Sequence, residues 1–222
     1  MVKLQKGIVL PRKKRVWYPG AIYHVMSRGN RRGKIFKDEY DYVEFLEELL
    51  LVKDIYPFKI HSMCLMSNHF HILIETEGTE LWRIMFKVLK MYASNFNLKY
   101  RLTGHLFESR YTAQIVEDEP YFLEVSRYIH LNPVKAKMVQ SPRDYVYSSF
   151  GLFVDDQHSA GDSEAEVRAQ ELIAKLVDTE RVLDYFNHGS KDMYHNFVES
   201  KISHVEQERL IRKSMNEEDL SA

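Results

Sequence analysis

Apolar residues along the first two-thirds of the chain switch repeatedly between the period of a strand and that of a helix. Ala21 to Met26 (AIYHVM) reads as a short strand ending in the turn-like, basic run Ser27-Arg28-Gly29-Asn30-Arg31-Arg32-Gly33. Asp38 then caps a helix whose apolar residues Tyr42, Val43, Leu46, Leu49 and Leu50 recur at the three-and-four spacing of one buried face. Phe58 to Met66 reads as a strand, Ser67-Asn68 as a tight connection, and the next strand begins near His69. A second helix runs from about Glu80 to Lys99, with Leu81, Met85, Val88, Leu89, Tyr92 and Phe96 on one stripe. Tyr111 to Val116 is a further strand. The next helix starts at Asp118, takes Pro120 in its first turn, and is expected to stop at Asn132, because the residue before Pro133 is pushed away from helical geometry.

The order strand, helix, strand, strand, helix, strand, helix predicts an α+β fold. It is the ferredoxin-like, split βαβ arrangement: an antiparallel sheet with helices on one face, the other face left free for a site. Residues 1–16 form a basic N-terminal arm, 17–153 the sheet domain, 154–163 a polar linker and 164–222 a small, acidic helical extension, with helical patterns near Val167–Val177, Arg181–Phe186 and Asp192–Ile202.

Composition narrows the class. With 222 residues, 45% of them hydrophobic, the chain supports a well-buried core. Its apolar runs are far too short to span a membrane, and the first residues lack the pattern of a secretory signal, so a cytoplasmic location is expected. The lone cysteine, Cys64, excludes an intramolecular disulfide and a multi-cysteine zinc site. The formal net charge of −1 conceals an asymmetry: residues 1–37 hold eleven Lys or Arg and no Asp or Glu, whereas the stretch from Asp155 onward holds 16 acids against 8 bases. A basic front suits a polyanion, since each cation near a phosphate releases condensed counterions.

The candidate chemistry begins at SNHFHILIE, residues 67–75. On a strand, Asn68, Phe70, Ile72 and Ile74 share one face, which is core, and His69, His71, Leu73 and Glu75 share the other. Two imidazoles about 7 Å apart along a strand can turn toward one ion if another element supplies a third ligand. For an arbitrary His-x-His, two hydrogen-bonded strand residues are the commoner outcome. Specificity comes from Ser126-Arg127-Tyr128-Ile129-His130-Leu131-Asn132-Pro133, where Tyr128 and Asn132, four apart, share a helical face and can present a phenol and an amide together.

With this set the chain resembles the single-tyrosine HUH transposases, especially their REP-associated tyrosine transposase branch; HUH denotes His, hydrophobic, His, here His69-Phe70-His71. Supporting pieces are Trp17-Tyr18-Pro19-Gly20, Tyr23-His24-Val25, Ser27-Arg28-Gly29-Asn30, Met66-Ser67-Asn68, Gly104-His105 with Arg110-Tyr111, and Tyr147-Ser148-Ser149, an ordered set covering residues 17 to about 150. The resemblance implies a metal-dependent single-stranded DNA endonuclease and strand transferase. In it His69 and His71 ligate Mg²⁺ or Mn²⁺, Tyr128 is the nucleophile, and Asn132 stands at the third-ligand position, where well-studied relatives usually carry the longer Gln; direct ligation and a bridging water are both open. It further implies hairpin-containing DNA as partner and a 5′-phosphotyrosine product. On oligomeric state it divides between a homodimer and a monomer.

A phenol with a reference pKa near 10 is a poor nucleophile unaided, which is where a hard cation on the phosphate helps. DNA contacts are expected from Arg12, Lys13, Lys14 and Arg15, from Arg28, Asn30, Arg31 and Arg32, from Arg110, and from Trp17 stacking on unpaired bases. Tyr92, Tyr100, Tyr111 and Tyr121 lack the four-residue partner and read as packing residues. Three rivals stand beside this reading: a domesticated module that grips a DNA or RNA hairpin without cutting, a replication initiator or relaxase, which is normally larger, and a small-molecule metallohydrolase, which leaves the basic segments unexplained.

Overall fold

The computed structural model describes residues 16–154 and 161–201. Four strands form one antiparallel sheet: β1 (Ile22–Arg28), β2 (Phe58–Met66), β3 (His69–Thr76) and β4 (Thr112–Val116), in the order β2-β3-β1-β4. Helices α1 (Glu39–Ile55) and α2 (Leu81–Tyr100) cover the Phe70 face, where Phe45 of α1 lies tilted against Phe70 and edge to face with Tyr92 of α2. This is the expected ferredoxin-like order. Asp38 caps α1 through a reciprocal box with Asp41, as the sequence indicates.

Two expectations are corrected. The histidine face is not left free: α3 (Glu119–Lys135) lies across β2 and β3, with Phe122 edge-on to His61 at 5.3 Å, so that face is open only toward β1 and β4. Nor does α3 stop at Asn132; it continues through Pro133 to Lys135. An interior proline removes the N–H that would bond the carbonyl four residues back, here that of Ile129. Asn132 supplies a substitute, its amide nitrogen donating to Tyr128 O at 2.8 Å and to Ile129 O at 3.4 Å.

The segment after α3 runs along the outer edge of β2, where Leu65 N donates to Tyr147 O and Tyr145 Oη donates to Leu65 O. Beyond the undescribed residues 155–160, α4 (Glu164–Leu176) packs on α1, Asp178 N donates to Ile60 O, α5 (Glu180–Leu183) follows, and residues 191–201 form a further helix, α6. These helices share the core of the sheet domain. A fully buried polar hub joins them: Tyr194 Oη on α6 meets Ser126 Oγ at 2.8 Å and His130 Nδ1 at 2.7 Å, while His130 Nε2 meets Ser149 Oγ at 2.8 Å, and Met63 N of β2 donates to that hydroxyl.

Candidate active-site cleft

On α3, Val125, Ser126 and Arg127 before Tyr128 and every residue from Ile129 to Pro133 after it are buried, yet Tyr128 is 39% exposed. Its ring stands edge-on to two imidazoles, His71 at 5.5 Å and His24 at 5.8 Å between centroids. Together they border an open cleft of about 540 Å³ between α3 and the β1–β4 side of the sheet, with Met26, Thr112, Gln114 and Glu124 also on its walls. Lys135, one helical turn past Asn132, holds its ammonium 4.4 Å from the Tyr128 ring centre.

The alternation of β3 puts His69 and His71 on one face, their rings 5.1 Å apart. His69 Nδ1 lies 2.6 Å from Asn68 Oδ1. A carbonyl oxygen only accepts, so Nδ1 carries the hydrogen and Nε2 keeps a lone pair; Asn68 is itself oriented by donating its amide to Arg32 O at 3.2 Å. His71 Nδ1 lies 2.9 Å from His24 Nε2. One of these two nitrogens carries the hydrogen, and when it is His71 Nδ1, the outer nitrogen of His71 is likewise a lone-pair donor. Burial pushes His71 down to about 3, with repulsion from its neighbours His24, His69, Arg28 and Lys135 opposing a proton on it, and burial pushes His24 down to about 4. His69 is lowered too, by burial and then by Arg28. All three rings are therefore neutral at ordinary pH, the state in which imidazole binds metals.

The donor chemistry fits a divalent cation in part. Two oriented imidazoles are present, but among the described residues no three His, Cys, Asp or Glu side chains are grouped to hold an ion. Asn132 is buried on the same helix, its amide nitrogen engaged by the backbone; its Oδ1 is the atom left to face a ligand.

The basic residues divide. Arg28 pairs with His69 across the β1–β3 ladder, and Asn30, Arg31 and Arg32 form the next turn, Arg31 and Arg32 at positive φ. Gly29 N bonds Asn68 O, Asn30 N bonds Leu106 O and Glu108 N bonds Arg28 O, so the loop carrying the exposed Arg110 joins the same end of the sheet as His69. Trp17 does not join them: its indole N–H donates to Thr76 at the far end of β3. Arg12, Lys13, Lys14 and Arg15 lie outside the described residues.

His24 was not singled out from the sequence. Its strand phase was readable, since His24 and Met26 alternate with buried Tyr23 and Val25, but its meeting with His71 depends on β1 pairing β3 in this register.

Fold and cleft together describe a protein that presents one exposed tyrosine beside strand histidines under a basic rim. Residues 18–132, just over half of the chain, match the family described as Transposase IS200 like, and the chain belongs to that family. It is similar to a Haemophilus influenzae protein described as a REP-associated tyrosine transposase, 28% identical over 123 residues, covering 50% of this chain and 69% of that protein. Its fold matches the structure of a REP-associated tyrosine transposase bound to a REP hairpin, with a TM-score of 0.56 at 20% identity, over 70% of this chain and 96% of the other. None of the described helices is long and apolar enough to cross a membrane.

Proposed function

We propose that the protein cleaves and rejoins single-stranded DNA beside a hairpin, with Tyr128 as nucleophile. The observation that carries this is the seating of Tyr128, exposed on an otherwise buried stretch of helix and edge-on to His71 and His24. The Tyr128 oxygen attacks the scissile phosphorus and gives up its proton, the bond from phosphorus to the 3′ oxygen breaks, and that oxygen leaves as a hydroxyl after taking a proton. The product is a 5′-phosphotyrosine. Attack by the 3′-hydroxyl of another strand reverses the chemistry and releases Tyr128, so rejoining needs no ATP. His69 and His71 would hold a Mg²⁺ or Mn²⁺, with Asn132 Oδ1 as third protein donor, directly or through water; such an ion when bound polarises the phosphate as a Lewis acid. Asn68 fixes the tautomer of His69, and His24 orients the ring of His71, the two rings that would ligate the ion. Arg28, Arg31, Arg32 and Arg110 neutralise phosphates at the rim, and Lys135 adds positive charge at the tyrosine.

One observation favours a module that grips a hairpin without cutting it: the Asn132 amide serves its own helix, and no three-residue ligand group accompanies it. A covalent-adduct assay decides. End-labelled hairpin DNA with single-stranded flanks, taken from around the protein's own gene, should yield a denaturation-resistant adduct that chelation and Tyr128→Phe both abolish, while Tyr128→Phe leaves hairpin binding within about twofold. Tight binding with no adduct would establish the non-cutting module.

A further inference from the structure

A second groove, of about 580 Å³, lies on the outer side of α1 and α2, across the sheet from the tyrosine cleft. Trp82, Phe86 and Lys90 follow one another at every fourth position of α2, with Arg83 and Lys87 beside them, and Tyr56, just past the end of α1, closes one wall. Trp82 is 51% exposed and Phe86 61%. Each aromatic already carries a cation, Arg83 lying 5.4 Å from the Trp82 ring and Lys90 5.8 Å from that of Phe86. Among the described residues no carboxylate lines the groove; Glu80 at its rim accepts the Trp82 indole N–H at 2.7 Å and stands 4.0 Å from Arg83.

We propose that this groove is a second binding site for single-stranded DNA, a reading that rests on the strand-transfer function above. Unpaired bases stack on Trp82 and Phe86 while Arg83, Lys87 and Lys90 neutralise the phosphates between them. The spacing selects single strands. Four helical residues rise about 6 Å, whereas bases along one strand of a duplex are about 3.4 Å apart, so two stacking platforms at this separation suit an extended, unpaired strand. The cations favour nucleic acid over a protein partner, because lysine is depleted from protein interfaces, and here Lys87 and Lys90 stand among the aromatics. The groove would hold the strand leading to or from the tyrosine cleft on the opposite side of the sheet.

The chain has two tryptophans, so Trp17→Phe leaves Trp82 as the single indole reporter. Titration with an unstructured oligothymidylate should quench its emission, and Lys87→Ala with Lys90→Ala should flatten the log–log salt dependence by about 1.4. Phe86→Ala should weaken binding by roughly five- to 150-fold. Because Trp17→Phe removes a hydrogen bond, the unmutated protein is also photocrosslinked to a bromodeoxyuridine oligonucleotide, with crosslinks expected in the peptide spanning residues 82–90. Unchanged Trp82 emission and crosslinks confined to other peptides, at DNA concentrations that give the Tyr128 adduct, would overturn the groove and leave the cleavage reading standing. Quenching and crosslinking without any adduct would support the groove while the cleavage reading fails. Tighter binding of oligouridylate than of oligothymidylate would overturn the assignment to DNA.

Discussion

Tyr128 is available because the residues around it are not. Its neighbours on α3 are buried against the sheet and α6, so the phenol is the part of that turn turned toward the cleft. The opposite case is Glu48, a carboxyl 3% exposed between α1 and α2, with Oε1 accepting from Asn95 and Oε2 without a hydrogen-bond partner among the described residues. Burial, with the charge of Glu44 adding, pushes it from 4.5 up to about 8. The folded chain therefore keeps a proton that the unfolded chain releases above about pH 4.5. The resulting stability is complete below that pH and is lost as pH rises through about 8. Glu48→Gln should remove this dependence and leave the variant more stable by about 1–3 kcal/mol at pH 8, as thermal unfolding across the pH range will show. At this scale the histidine face was legible, because strand alternation alone puts His69 and His71 together. The bond between His24 and His71 was not, since it joins residues 47 apart through a strand register that no local pattern encodes.

Among the elements, α3 carries the most argument. The tyrosine motif divides by direction: Tyr128 faces the cleft, while Ser126 and His130 bond Tyr194, and Arg127 donates to Phe197 O and lies over the Phe197 ring. Most of that motif thus positions the helix. Tyr194→Phe removes the partner of two buried polar atoms and should cost about 2–4 kcal/mol in denaturant unfolding, with slower adduct formation as α3 loosens. Whereas β2 and β3, buried on both faces, show as short apolar runs, α2 and β1 could be read from their periods because each buries one regular face. Passage of α3 through Pro133 could not, because a backbone rule was overridden by a side-chain amide one residue earlier.

At the scale of the molecule, charge and packing pull the two ends into different roles. The basic front places Arg28, Arg31 and Arg32 at the His69 end of the sheet, while the described part of the acidic extension, residues 161–201, packs on α1, β2 and α3, and its Arg181 on α5 pairs with Glu75 at 2.7 Å. Composition revealed the asymmetry. That the extension completes the core was hidden, because its partners are distant in the chain: α4 packs on α1, and Tyr194 meets His130 and Phe153.

The stitching of α3 has a kinetic consequence. It enters from β4 and leaves along the outer edge of β2, and both directions are tied to its own sheet, so tyrosine and histidines in one cleft belong to one polypeptide. The groups proposed to react are thus supplied by one copy of the chain in this structure. The rate of adduct formation per molecule, at saturating DNA, should then stay constant as the protein is diluted, and a fall with dilution would mean that the tyrosine is lent between chains.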